Sequence, residues 1–229
     1  AKKFTDWRQL LQMKDLDAVT VSTPDHTHAP ATMAAIRRGL HVYCQKPLTH
    51  SVWEARQIGL ATAKHGVVTQ MGTQGHSSAS SRLLVELLRR KAVGRIRQIH
   101  IWTNRPIWKQ GLGRPESKPV PRGVDWDQWI GVAPYRDYHD HLHPFAWRGW
   151  LDFGTGALGD IGCHALAATW DGLKLTAQLQ TWSDGEAPNS ETIPQARVIH
   201  NQYPQSDLTG GEMELIRYEG ANLPERSLH

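Results

Sequence analysis

The sequence is poor in cysteine: Cys44 and Cys163 are the only two in 229 residues. So few thiols exclude a disulfide framework and favour a reducing compartment or a protein indifferent to redox state. Long apolar runs are also missing. No window approaches the roughly 18 consecutive apolar residues that a membrane helix needs, so a membrane partner is not expected. There is little excess charge of one sign. Lys plus Arg number 26 and Asp plus Glu 22, a net of +4. Apart from short groups such as Arg37-Arg38 and Arg89-Arg90-Lys91, the basic residues are scattered. Scattered charge without a patch argues against a dedicated nucleic-acid binder. Internal repeats and low-complexity segments are lacking as well. The first residue is Ala1, not methionine, and no signal-like segment follows it. A fragment is therefore expected, with any targeting signal lying upstream. Tryptophan, in contrast, is abundant: ten residues, eight of them between Trp102 and Trp182.

At about 150 residues per domain, the length predicts one large domain or two small ones. Residues 1–70 alternate helix and strand. Asp6 can cap a short amphipathic helix over Trp7–Lys14. Ala18–Val21 reads as a buried strand, and a helix follows over Ala29–Arg38 with Pro30 in its first turn and Gly39 as its stop. Leu40–Cys44 is the next strand, Ser51–His65 the next helix and Val67–Gln70 a third strand. This alternation predicts right-handed crossovers and a parallel sheet. The texture changes near residue 75. A helix over Ser78–Lys91 leads to a strand over Arg95–Thr103. Residues 104–150 are rich in Pro, Gly, His and Trp, with a short helix at Asp125–Trp129. Gly154–Trp170 is glycine-rich and then helical. Strand-like stretches close the chain at Ala177–Trp182, Ala196–Tyr203 and Gly211–Tyr218. The expected fold class is α/β followed by α+β, with a parallel sheet first and a mostly antiparallel sheet second.

Four constellations could carry chemistry. The strand ends read Ser22-Thr23-Pro24-Asp25-His26, Cys44-Gln45-Lys46-Pro47 and Gln70-Met71-Gly72-Thr73. Ligands of open parallel sheets collect at such ends, although Pro, Asp and Gly end strands everywhere. Gly154-Thr155-Gly156-Ala157-Leu158-Gly159 is a literal G-x-G-x-x-G, but Pro144, Trp147, Arg148 and Gly149 precede it where a dinucleotide turn requires a buried strand. Asp160 and His164 follow, four apart and so on one side of a helix. Together they can hold a substrate hydroxyl, with His suited to accept its proton near neutrality. The same residues also suit a plain helix start, with Asp favourable to the dipole. The glycines are costly in a helix, at about 1 kcal/mol each against alanine, and imply a close approach to the backbone. His139, His141 and His143 would share a face on a strand, but Pro144 favours a loop over a metal site. Trp102, Trp108, Trp126, Trp129, Trp147 and Trp150 are expected mainly in the core, with one or two lining a site.

The run from Asp17-Ala18-Val19 through Thr23-Pro24-Asp25-His26-Thr27-His28, followed by Gly39-Leu40-His41-Val42-Tyr43-Cys44-Gln45-Lys46-Pro47-Leu48, resembles the Gfo/Idh/MocA oxidoreductases. The Gly156–His164 segment resembles that family's catalytic helix. The resemblance implies the second half of an NAD(P)-binding Rossmann domain over residues 1–75. It implies a substrate and oligomerisation domain over 76–229, with a mostly antiparallel sheet. NAD or NADP would be the cofactor. Ser22, Thr23, Pro24, His26, Gln45 and Lys46 would lie along it, near its ribose and nicotinamide end. Lys46 would hydrogen-bond the reacting hydroxyl or the ribose, Asp160 would orient the substrate, and His164 would be the acid/base.

The chain departs from the family pattern in three ways. Gln45 stands where the family has Glu. The first strand and glycine-rich phosphate loop are expected before Ala1, and the tail after Tyr218 is short for the family's second sheet. The activity implied is hydride transfer between the cofactor and a sugar, polyol or sugar derivative. A redox-neutral oxidation, elimination and reduction at the same site, or a catalytically silent sugar-binding remnant, are the alternatives. A carbohydrate substrate, self-association through the second sheet and a cytoplasmic location are expected, with export if a signal precedes Ala1.

Overall fold

The computed structural model describes residues 1–225. Residues 226–229 of the short tail lie outside the described residues. The chain forms two compact units, Ala1–Gly72 with Arg114–Thr155, and Thr73–Gly113 with Gly156–His229.

In the first unit, β1 (Ala18–Val21), β2 (His41–Gln45) and β3 (Thr69–Gly72) form a parallel sheet in the order β1-β2-β3. The register sets Val21 beside Cys44 and Cys44 beside Met71, so the three carboxyl ends share one edge. A short helix α1 (Trp7–Leu10), capped by the Asp6 side chain, precedes the sheet and stops four residues before the predicted end. Two crossover helices follow, α2 (Asp25–Arg37) and α3 (Val52–His65).

Helix α3 is written plainly in its caps. The Ser51 hydroxyl accepts from the Glu54 N–H and the Glu54 carboxylate accepts from the Ser51 N–H. Gly66, at φ 65°, ends the helix in the left-handed region open to glycine. Helix α2 starts at Asp25, four residues before the predicted start. Pro24 holds the extended N-cap conformation at ψ 155°, and acidic Asp25 suits the positive end of the helix. The Thr27 N–H and hydroxyl both donate to the Pro24 carbonyl, at 3.0 and 2.9 Å. Pro30 therefore lies inside the helix and not in its first turn. Strand β3 runs two residues later than predicted, because the Val68 N–H is taken by His41 Nδ1 at 2.9 Å.

Two apolar clusters hold this unit. Val21, Ala35, Ile36, Val42, Cys44 and Ile58 fill the sheet–helix interface, each large aliphatic contributing about 1.5–3 kcal/mol. Trp126, Trp147, Trp150, Phe153, Tyr138 and Leu142 form the second, around α5 (Trp126–Ile130). Trp126 stacks on Trp129 at 4.7 Å, and its indole N–H donates to the Arg136 carbonyl at 2.8 Å. These tryptophans are core residues whose polar handle is satisfied.

In the second unit, β4 (Ile96–Trp102), β5 (Gln180–Gly185), β6 (Arg197–Tyr203) and β7 (Thr209–Glu219) form a sheet in the order β4-β7-β6-β5. It is antiparallel except for the β4–β7 pair. Leu88, Leu173, Tyr203, Met213 and Leu215 make its core with α4 (Ala79–Arg89) and α6 (Cys163–Leu173). At Gly172 an added Cβ would lie 2.7 Å from Leu88 Cδ1, so the two helices cross where glycine lets them approach. The expected fold class holds for both sheets. Strand β5 lies three residues later than the predicted stretch, as an exposed edge.

Candidate functional site

The carboxyl edge of the first sheet carries the predicted strand-end residues. Ser22 and Thr23 are exposed, Pro24 is half-buried, and Gln45 and Lys46 are half-buried at the end of β2. Gly72 closes β3 against Gln45; an added Cβ there would sit 2.7 Å from Gln45 Oε1. The edge is thus polar, with Lys46 as the cation among these residues. That donor set suits a ribose and a carboxamide. Among the described residues, no strand runs into a glycine-rich turn and a helix that would cradle a pyrophosphate.

His26 is turned inward. It is 2% exposed, its Nε2 lies 3.1 Å from the Trp129 carbonyl, and its ring meets Trp129 and Phe153 at 5.5 and 5.2 Å. Burial holds its pKa below the usual imidazole range. Its Nδ1 is buried without a hydrogen-bond partner. Asp25, 6% exposed, accepts from the Thr155 hydroxyl at 2.7 Å and the Thr155 N–H at 3.2 Å. Burial pushes its carboxyl up, against the Thr155 hydrogen bond and the charges of His28, Arg148 and His50.

The second unit carries Asp160 and His164. Residues Leu158–Gly162 wind as a turn of π-helix and pass directly into α6. Four residues make about one turn in either geometry, so the two side chains project from the same side of the segment. Asp160 is fixed by Arg105, whose Nε donates to Oδ2 at 3.0 Å. On the other side, His164 borders the Gln74–Ser77 turn, with its Nδ1 3.9 Å from where a Gly75 Cβ would stand. A carboxylate held by a guanidinium, one turn from an imidazole, can orient a hydroxyl and take its proton.

The glycines before this segment answer to packing. A Cβ at Gly154 would collide with the Arg148 backbone. Gly156, at φ 62°, faces Ile193, with 2.7 Å from an added Cβ to Cδ1. No strand precedes them, so the G-x-G-x-x-G lacks the context of a dinucleotide turn. His139 and His141 lie in irregular turns with rings 4.7 Å apart, and the described residues contain no metal-holding cluster of three. No described helix is long and apolar enough to cross a membrane.

Sequence reasoning missed Arg105, which lies 55 residues from its partner in a segment without periodicity. Asp25 and His28 were left without a role, because the expected helix began only at Ala29 whereas α2 begins at Asp25.

Residues 1–73 match the model described as "Oxidoreductase family, NAD-binding Rossmann fold", and residues 95–203 match "Oxidoreductase family, C-terminal alpha/beta domain". A levoglucosan dehydrogenase of Pseudarthrobacter phenanthrenivorans is 25% identical over 163 residues, 71% of this chain and 34% of that protein. A 2,7-anhydro-N-acetylneuraminate hydratase of Mediterraneibacter gnavus is 26% identical over 139 residues, 61% of this chain and 34% of that protein. Among solved structures, GenD2 from gentamicin A biosynthesis, in complex with NAD, superposes with a TM-score of 0.65 at 20% identity. That match covers 98% of this chain and 54% of GenD2, and it supports the fold. The chain thus spans about a third of the curated relatives and half of the solved one.

Proposed function

Because this chain belongs to the Gfo/Idh/MocA oxidoreductase family, we propose that the protein transfers hydride between NAD or NADP and a sugar, polyol or sugar derivative. The observation that carries the reading is Asp160, anchored by Arg105 and one turn from His164. Asp160 would orient a substrate hydroxyl, and His164 would accept its proton at Nε2, because Nδ1 is on the Gly75 side. Ser22, Thr23, Pro24, Gln45 and Lys46 would hold the nicotinamide ribose at the strand edge, with His26 supporting that edge from the aromatic core beneath. Lys46 would donate to a ribose or reacting hydroxyl. When bound, the nicotinamide supplies the hydride acceptor. Self-association through the second unit's sheet and a carbohydrate ligand belong to the same reading.

A second reading keeps the site but returns the hydride, so that product forms without net reduction. The relative named as a hydratase favours it. The test is a panel of sugars and polyols with NAD or NADP and the intact protein. Net NADH formation supports hydride transfer to a released cofactor, and product without NADH supports the redox-neutral cycle. His164→Ala should lower kcat by about 10²–10⁴-fold with dinucleotide affinity unchanged. Near-normal kcat in that variant would overturn the acid/base assignment.

A further inference from the structure

One buried imidazole of the first unit faces two carbonyl oxygens. His28 is 1% exposed, with Nδ1 2.6 Å from the Pro47 oxygen and Nε2 2.7 Å from the Thr23 oxygen. A carbonyl oxygen only accepts, so each ring nitrogen must donate. A neutral imidazole has one N–H and can satisfy one of them; its other nitrogen would aim a lone pair at an oxygen. The imidazolium donates to both. A buried cation needs compensation. Asp25, one turn earlier on α2 and held in place by Thr155, is the carboxylate that interacts electrostatically with it. The other groups bearing on this spot are His50, in the turn after β2, Arg148, in the Ala146–Gly149 turn, and the buried Cys44 thiol of β2.

The two carbonyls belong to the two turns assigned to the nicotinamide ribose. Thr23 precedes Pro24 at the end of β1, and Pro47 follows Lys46 at the end of β2. We propose that His28 is a positioning residue whose doubly protonated ring clamps the Thr23–Pro24 turn to the Lys46–Pro47 turn and so fixes the strand edge. The role of that edge rests on the dinucleotide reading above, whereas the clamp stands on the two hydrogen bonds. A side chain that donates to one of the two carbonyls releases the other, so the edge loosens and affinity for the dinucleotide falls.

The experiment has two arms, both on the intact protein. In histidine-labelled nitrogen NMR of the wild type, the His28 ring should show two N–H protons at neutral pH, identified by their loss in His28→Gln. A single N–H overturns the clamp, and this arm needs no variant to be functional. In the second arm, NADH affinity is measured by fluorescence at one fixed pH. His28→Gln, folded by circular dichroism, can donate to one of the two carbonyls only and should bind about tenfold more weakly than the wild type. A His28→Gln protein with the wild-type affinity overturns the positioning role. If the wild type binds no NADH, the dinucleotide reading fails. The clamp is then decided by the NMR arm alone, two N–H protons keeping it and one removing it.

Discussion

Replacing Arg105 with methionine tests how the Asp160 carboxylate is held. The guanidinium Nε and Asp160 Oδ2 are 3.0 Å apart, with side chains 30% and 15% exposed. Charge centres about 4 Å apart attract by about 4 kcal/mol at an effective dielectric of about 20. Desolvation of both groups offsets much of that. Exposed pairs are worth about 0.2–1 kcal/mol, and deleting one partner of a fully buried pair costs about 3–5 kcal/mol. This pair lies between those limits, so Arg105→Met should lower stability by about 1–3 kcal/mol. Urea unfolding followed by tryptophan fluorescence measures it, with an unchanged m-value required for a clean comparison. The second variant of the cycle is Asp160→Asn in the Arg105→Met background. It removes the orphaned charge and should recover part of the loss. Activity should follow, with kcat/KM down about tenfold in Arg105→Met and partly restored in Arg105→Lys. A change within about 0.5 kcal/mol of wild type, or no recovery from Asp160→Asn, would refute the view that the guanidinium holds this carboxylate.

Three further outcomes follow from the geometry. Burial raises the folded-state pKa of Asp25, so its contribution to stability is present below about pH 4 and is lost as pH rises through the folded value; Asp25→Asn should flatten that part of the stability–pH curve, and a curve parallel to wild type would contradict it. Gly154→Ala drives a methyl into the Arg148 backbone and should cost about 3 kcal/mol or more, seen as a melting temperature about 6–12 °C lower, whereas Gly59→Ala, with open space around it in α3, should gain about 0.5–1 kcal/mol. In the 229-residue chain by itself, where β1 borders the sheet of described residues and Thr20 is exposed, Thr20→Lys should lower aggregation measured by light scattering, because a charged edge resists pairing with another chain.

What was legible in the sequence was whatever depended on near neighbours. Helix α3 announces itself through Ser51, Glu54 and Gly66, all within its own length. Strands β1 and β2 show as apolar runs ending in polar turns, and the Asp125 cap of α5 is local too. The start of α2 was misread for the opposite reason. Asp25-His26-Thr27-His28 looks like loop chemistry, and only burial against residues far along the chain makes it helix. His26 N–H donates to the Phe153 carbonyl, and Thr155 reaches back to Asp25. The π-helical turn at Leu158–Gly162 was invisible to a periodicity argument, since four-residue spacing serves both windings. Residues 114–155 read as irregular, and nothing in their composition tied them to the first unit.

The candidate site follows the same division. The residues that would touch ligand, Thr23, Lys46, Asp160 and His164, lie in motifs that could be read off directly. The residues that hold the neighbouring groups could not: Arg105 reaches Asp160 and Thr155 reaches Asp25 across long stretches of chain, and the partners of His28 are backbone carbonyls of Thr23 and Pro47. A carbonyl oxygen carries no side-chain signature, yet two of them hold the ring of His28. Chemistry-bearing side chains are therefore readable as residue types, while their aim belongs to groups that only the fold brings to them.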